Sequence, residues 1–266
     1  LNNLMNFLLS EEITDKSLFS DTPFIDFLKT EIFQTKDPEL IGVFACLIKI
    51  IYKSFGETRA KFNDLDFIER VLEKTNNSDS VFQNYFPPIL SVIYKRCNDD
   101  EIKGKISSEF DLKAFIKGAK RVEISFLLSC YFSIAVLIAE DIKEQEEIEQ
   151  LIKFCDIFLL QKDTLTNKQM RQIGDILIKL IPKENFPIFT FLDTDIRKNL
   201  DYEGYDGNVG AIAYQIETEL LKYHEYISFA YYVPAMDSIM ASSPKCVAAA
   251  YYLSRITLFE NVAKAM

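Results

Sequence analysis

The strongest constraint on the fold is a pattern of apolar residues that returns 42 residues further along the chain. Residues 40–53 have the i, i+3, i+4, i+7 spacing of one buried helix face, and residues 82–95 repeat it. Pro87 and Pro88 kink or split the second copy, because a proline inside a helix disrupts its hydrogen bonds. The matching positions are Leu40 with Phe82, Val43 with Tyr85, Phe44 with Phe86, Leu47 with Ile89, Ile48 with Leu90, Ile51 with Ile93, Tyr52 with Tyr94 and Lys53 with Lys95.

Helical periodicity continues through most of the chain, and strand-like alternation is rare. Only 8 glycines and 8 prolines occur among 266 residues, so few tight turns are available for β-hairpins. The 48% hydrophobic and 26% charged residues are ordinary for a globular protein that is large enough to build a continuous core. We therefore predict an all-α fold.

The clearest single unit lies in residues 233–257. Pro234 opens a short helix, which Ser242-Ser243-Pro244 interrupts, and Pro244 suits the first position of the next helix because no hydrogen-bond donor is needed there. The predicted apolar residues are Val233, Met236, Ile239 and Met240 in the first helix and Val247, Ala249, Ala250, Leu253 and Ile256 in the second.

This unit resembles the end of an armadillo repeat, in which an Ile-Pro pair, a short Leu-rich helix, a Ser/Pro/Asp turn and a Val-then-Ala-Ala helix follow one another. The resemblance, together with the recurrence near 42 residues, predicts a right-handed α-solenoid of about six irregular armadillo/HEAT-like repeats. We expect a single domain over residues 1–266, with an N-terminal cap at 1–20 and repeats at 21–60, 61–108, 109–143, 144–184, 185–224 and 225–266.

Charge and hydropathy restrict the partners. The 30 Lys and Arg residues against 40 Asp and Glu residues give a net charge of −10, which disfavours nucleic acid and anionic membranes. The longest uncharged run, residues 124–139, is shorter than the roughly 20 residues that a membrane span needs. No signal peptide is visible, so we expect an intracellular protein, cytoplasmic or nuclear, with no membrane insertion.

The residues that could bind a metal or act in catalysis do not have the spacing that the known motifs require. The five cysteines form no CxxC pair and read as free thiols, and the single histidine, His224, cannot build a His-rich metal site. The loop 201–208 does not fit the ligand positions of an EF-hand. Residues 140–144, Glu-Asp-Ile-Lys-Glu, resemble the acidic metal motif of all-α terpenoid synthases, but a second motif is missing. No metal, cofactor or catalytic residue is predicted.

A binding surface remains. In the armadillo family the last helix of each repeat lines a groove that holds an extended peptide. The same register here gives the candidate binding residues Lys49, Ser91, Lys179, Thr218 and Arg255, and Tyr52, Tyr94 and Tyr252 lie beside the same positions as further candidates. Lys49, Lys179 and Arg255 recur at one position, which indicates a positive strip for an extended acidic or phosphorylated segment.

The predicted function is therefore a non-catalytic protein–protein interaction scaffold or adaptor. One alternative is a cyclin-like regulatory subunit of two five-helix domains, although cyclin folds repeat at about twice the observed period. A less favoured alternative is an all-α magnesium/diphosphate enzyme. An elongated scattering envelope would favour the solenoid, whereas a bilobed envelope would favour the cyclin-like pair.

Overall fold

The computed structural model describes residues 21–77, 85–122, 125–201, 207–226, 232–239 and 244–258. All the regular structure in these ranges is helical, which confirms the all-α prediction for them. The predicted cap, residues 1–20, lies outside them. The chain forms two compact units, Leu1–Leu137 and Ile138–Met266, and the boundary falls inside helix α8 (Ser125–Asp141).

The helices of the first unit are short to medium in length, and a 3₁₀ turn, Gly56–Thr58, lies between two of them. Before α8 they are α1 (Thr22–Gln34), α2 (Pro38–Ser54), α3 (Arg59–Phe62), α4 (Leu65–Asn76), α5 (Pro87–Arg96), α6 (Asp100–Glu109) and α7 (Leu112–Ala119).

The second unit continues with helices of the same range of lengths, together with 3₁₀ turns at Lys162–Thr164 and Leu221–Tyr223. After α8 the helices are α9 (Gln145–Leu159), α10 (Asn167–Leu180), α11 (Ile188–Leu192), α12 (Ile196–Asn199), α13 (Gly207–Leu220), α14 (Tyr232–Ser238) and α15 (Pro244–Ile256).

Local sequence signals set several helix starts. The Asp37 carboxylate accepts a hydrogen bond from the Glu39 amide at 2.9 Å, and Pro38 occupies the first helical position. Thr166 and Gln169 form a reciprocal capping box at the start of α10. Helix α5 begins at Pro87, so Tyr85 and Phe86 of the second copy of the pattern lie before this helix.

In the first unit α2 packs on α5, and these are the two helices related by the 42-residue recurrence. Ile48 and Ile51 are fully buried on α2, as are Ile89 and Ile93 on α5. The expected burial of Leu40 is wrong, because its side chain is 43% exposed at the start of α2.

In the second unit α13 contacts both α10 and α15, while α9 packs on α10 and α14 packs on α15. The tertiary contacts thus join helices that are separated along the chain as well as consecutive ones. Helix α10 buries one apolar side, formed by Ile173, Ile176, Leu177 and Leu180, each of them 0% exposed.

The pattern predicted for residues 233–257 is corrected at several positions. Met236 is 47% exposed and Ile239 is 38% exposed, because α14 turns Ala235 and Ser238 inward instead. On α15 Ala249, Leu253 and Ile256 are buried as predicted, but Ala250 is exposed and Val247 is 73% exposed.

Several buried polar groups of the second unit are paired with one another. The Glu217 carboxylate on α13 is 1% exposed and accepts two hydrogen bonds from the Arg197 guanidinium on α12, at 2.7 and 3.0 Å. The hydroxyls of Tyr214 and Ser238 lie 2.9 Å apart and join α13 to α14. These contacts fix the position of α13 between its neighbours.

Candidate functional site

A groove of about 840 Å³ lies along α10, α13 and α15, within the second unit. Each helix contributes four residues at i, i+3, i+4 and i+7, which is the spacing of a single helix face. They are Lys168, Arg171, Gln172 and Asp175 from α10; Asn208, Ala211, Ile212 and Gln215 from α13; and Pro244, Val247, Ala248 and Tyr251 from α15.

The positions at which the helices begin align these faces, so that they line the same groove. The capping box at Thr166 fixes where α10 begins, and Pro244 fixes where α15 begins, so Lys168 and Pro244 both lie in a first helical turn. The opposite side of α10 is its buried apolar side. Amphipathicity therefore turns the polar face of α10 toward the groove.

Helices α10 and α13 approach closely at Gly174. A Cβ atom placed on Gly174 would overlap Cγ2 of Ile212. Ile212 itself lines the groove. The absence of a side chain at Gly174 therefore sets how close the two helices come and where Ile212 sits.

Substitution Gly174→Ala tests this approach. We expect the free energy of unfolding to fall by about 1–3 kcal/mol, because the new methyl group overlaps Ile212. Chemical denaturation followed by circular dichroism measures the change. In an Ile212→Ala background the loss should be much smaller, and an equal loss in both backgrounds would contradict the contact.

The groove walls differ in chemistry. Lys168 and Arg171 place two cations on the α10 wall, and Asp175 adds one carboxylate a turn further along. Burial raises the pKa of the Asp175 carboxyl, and the Arg171 charge offsets part of that rise. The α15 wall is apolar, with Val247 73% and Tyr251 57% exposed. This combination can hold a ligand that is charged at one end and apolar at the other.

A chain of hydrogen bonds joins the carboxyl ends of α8, α10 and α13. The Lys183 ammonium donates to the Glu140 carbonyl at 3.0 Å, and the Lys222 ammonium donates to the Lys183 carbonyl at 3.5 Å. The Tyr223 hydroxyl donates to the Ile181 carbonyl at 3.3 Å. These contacts span 43, 39 and 42 residues of sequence. The carboxyl ends of α8, α10 and α13 therefore lie side by side.

Three predicted binding residues lie beside this groove. Lys179, Thr218 and Arg255 are on α10, α13 and α15, one turn beyond the last groove residue of each helix. Lys179 forms an ion pair with the Glu140 carboxylate, while burial and the nearby Lys183 lower the pKa of its amine. Thr218 donates to the Tyr214 carbonyl at 2.9 Å, and Arg255 is exposed.

Two predicted binding tyrosines are core residues. Tyr52 and Tyr252 are each 0% exposed, which removes them from any contact surface. The Tyr52 hydroxyl donates to Asn63 at 2.7 Å, and burial raises its pKa. The Tyr252 ring stacks on Tyr214 at 6.1 Å, between α15 and α13. The prediction chose the buried member of the Tyr251–Tyr252 pair.

The remaining predicted residues lie in the first unit. The Lys49 ammonium is 3.4 Å from Sγ of Cys130, and its side chain is partly buried. The Tyr94 hydroxyl lies 2.9 Å from the Ser107 hydroxyl, and Ser91 is partly buried on α5.

Sequence reasoning missed most of the groove. Arg171, Val247 and Tyr251 were not chosen as binding candidates, because the candidates were selected by their match to a peptide-binding position of the armadillo family. They were not selected by which face of each helix is exposed. The signal was present in the sequence, since the exposed face of α10 follows from its buried apolar stripe. On α15 the alanine-rich sequence gives weaker amphipathicity, and only packing shows which face is exposed.

The other motifs stay outside this site. The Glu140 carboxylate forms an ion pair with Lys179, and Glu144 is the residue before α9. Of the acidic loop 201–208, residues 202–206 lie outside the described part of the chain. Among the residues with described positions, no group of three or more His, Cys, Asp or Glu side chains is arranged to hold a metal ion.

The described ranges form an all-α protein with a groove that both polar and apolar side chains line. None of the helices described is both long and apolar enough to cross a membrane. Comparison of the chain with protein families, with curated proteins and with solved structures finds no match.

Proposed function

We propose that the protein is a non-catalytic scaffold of armadillo/HEAT-like helical repeats, and that it binds another protein in the groove of α10, α13 and α15. The observation that carries the proposal is that α10, α13 and α15 each line the groove with residues at i, i+3, i+4 and i+7. Helices that each present the same face to one groove form a continuous surface that suits a chain segment lying across them.

The hydrogen bonds between carboxyl ends support the helical-repeat part of the proposal. Lys183 and Lys222 each bond a carbonyl about one repeat earlier, at separations of 43 and 39 residues. The separation is close to the 42-residue recurrence of the apolar pattern. A period near 40 residues favours armadillo/HEAT-like units over a cyclin-like fold, whose repeat is about twice as long.

The chemistry of the groove favours binding over catalysis. Its lining has amide side chains in Gln172, Asn208 and Gln215, apolar side chains on α15, and neither cysteine nor histidine. The acidic stretch that resembled a magnesium/diphosphate motif lies elsewhere, and its Glu140 carboxylate is held by Lys179. A mixed amide and apolar lining suits a peptide, because amides bond its backbone while apolar walls cover its side chains.

Site-specific photocrosslinking tests the proposal. A photoreactive phenylalanine analogue replaces Tyr251 in the groove, and the matched control carries it at Lys198, which is 78% exposed on α12. We expect the Tyr251 position to form a discrete adduct with a partner protein in extracts of the source cell. Val247→Arg should abolish that adduct, because a charge is then placed on the apolar wall.

Equal labelling of the same proteins from both positions would contradict the proposal, as would an adduct that survives Val247→Arg. The melting temperature of the Val247→Arg protein serves as the folding control. It should stay close to that of the unmodified protein, because the Val247 side chain already faces solvent.

A further inference from the structure

The groove has a charge of opposite sign to the chain that contains it. Its lining includes two cations, Lys168 and Arg171, against the single anion Asp175, whereas the whole chain carries −10. Both cations lie on the α10 wall, and the exposed apolar side chains Val247 and Tyr251 lie on the α15 wall. The two kinds of contact are therefore on opposite sides of α13.

We infer that the groove takes an extended acidic segment of a partner protein, with a carboxylate against Lys168 and Arg171 and an apolar side chain against Val247 and Tyr251. The inference rests on the proposed function and names the chemistry of its partner. A guanidinium can bind a carboxylate through two parallel hydrogen bonds. A partly exposed tyrosine supplies the rigid, amphipathic contact area that is enriched at binding hot spots.

Asp175 acts as an internal competitor in this arrangement. It follows Arg171 by four residues on the same helix face, and the Arg171 charge already acts on its carboxyl group. A partner carboxylate must share Arg171 with Asp175, and the negative charge of Asp175 repels it. Neutralising Asp175 therefore strengthens the binding of an acidic segment, whereas the same change weakens the binding of a basic one.

The helix spacing limits the length of the segment. Packed helices lie about 8–10 Å apart, so the two steps from α10 to α15 cover at most about 20 Å. An extended chain advances about 3.3 Å per residue, so its acidic and apolar residues stand at most about six residues apart. A shorter separation suffices where the groove curves.

The test uses fluorescein-labelled synthetic peptides, each about ten residues long. Each peptide carries a Glu pair and one Leu in a Ser/Gly background, with their separation varied. Two matched sets replace Glu by Lys or by Gln. Binding is measured by fluorescence anisotropy at low and high salt, with the full-length protein.

We expect the Glu set to bind best at a separation of about four to six residues. The double variant Lys168→Glu, Arg171→Glu should weaken that binding at least about tenfold and remove most of its salt dependence. Asp175→Asn should tighten it about threefold. As a matched control, Lys198→Glu reverses an exposed charge outside the groove lining and should leave the affinity unchanged.

Each outcome has a distinct meaning. Preferential binding of the Lys or Gln sets, sensitive to Val247→Arg, would overturn the acidic partner while leaving the scaffold proposal intact. The inference would also be overturned if the affinity for the Glu peptides were unchanged in the double variant, or if it fell with Asp175→Asn. Failure of every set would overturn it too, while the Tyr251 crosslink independently decides the proposed function.

Discussion

Replacement of Arg197 by Met is expected to lower the free energy of unfolding by about 3–5 kcal/mol, because it leaves a buried carboxylate without its cation. Glu217 is 1% exposed on α13, and the Arg197 guanidinium supplies two hydrogen bonds to it. Chemical denaturation near neutral pH measures the loss.

The neighbouring residue provides the matched control. Lys198 pairs with Asp195 at 2.6 Å, but both side chains are exposed, at 78% and 50%. Lys198→Met should therefore change the stability by no more than about 0.5 kcal/mol. A similar cost for both substitutions would mean that burial does not set the strength of the Arg197–Glu217 pair. The proposed binding groove would be unaffected by that result.

Leu253→Ala is expected to lower the free energy of unfolding by about 2–5 kcal/mol, through lost burial and the cavity that remains. Leu253 is 5% exposed on α15, which packs against α13 and α14. Val247, on the exposed face of the same helix, gives the matched control. Val247→Ala should cost no more than about 0.5 kcal/mol, because it empties no core space.

These two substitutions also separate folding from binding. If the groove is the partner surface, Val247→Ala should weaken the photocrosslink from Tyr251 while leaving the melting temperature nearly unchanged. Leu253→Ala should lower the melting temperature, with the crosslink kept at temperatures where the protein is folded. A large loss of stability from Val247→Ala would show that α15 is turned differently about its axis.

The local part of the fold was accessible from the sequence. The starts of α2, α10 and α15 follow from Asp37, Thr166 and Pro244, because caps and prolines act within about one turn. The buried side of α10 follows from its apolar stripe. The register that selected Lys179 and Arg255 places them one turn beyond the groove lining of α10 and α15.

The sequence by itself therefore determined that the described chain is helical, where its capped helices begin, and which side of a strongly amphipathic helix is buried. Only the tertiary structure decided that Tyr252 packs on Tyr214 while Tyr251 faces the groove, and that Lys179 pairs with Glu140. The physical reason is the range of the interactions. Capping and periodicity depend on residues within a few positions, whereas burial and ion pairing depend on side chains that lie far apart in the sequence.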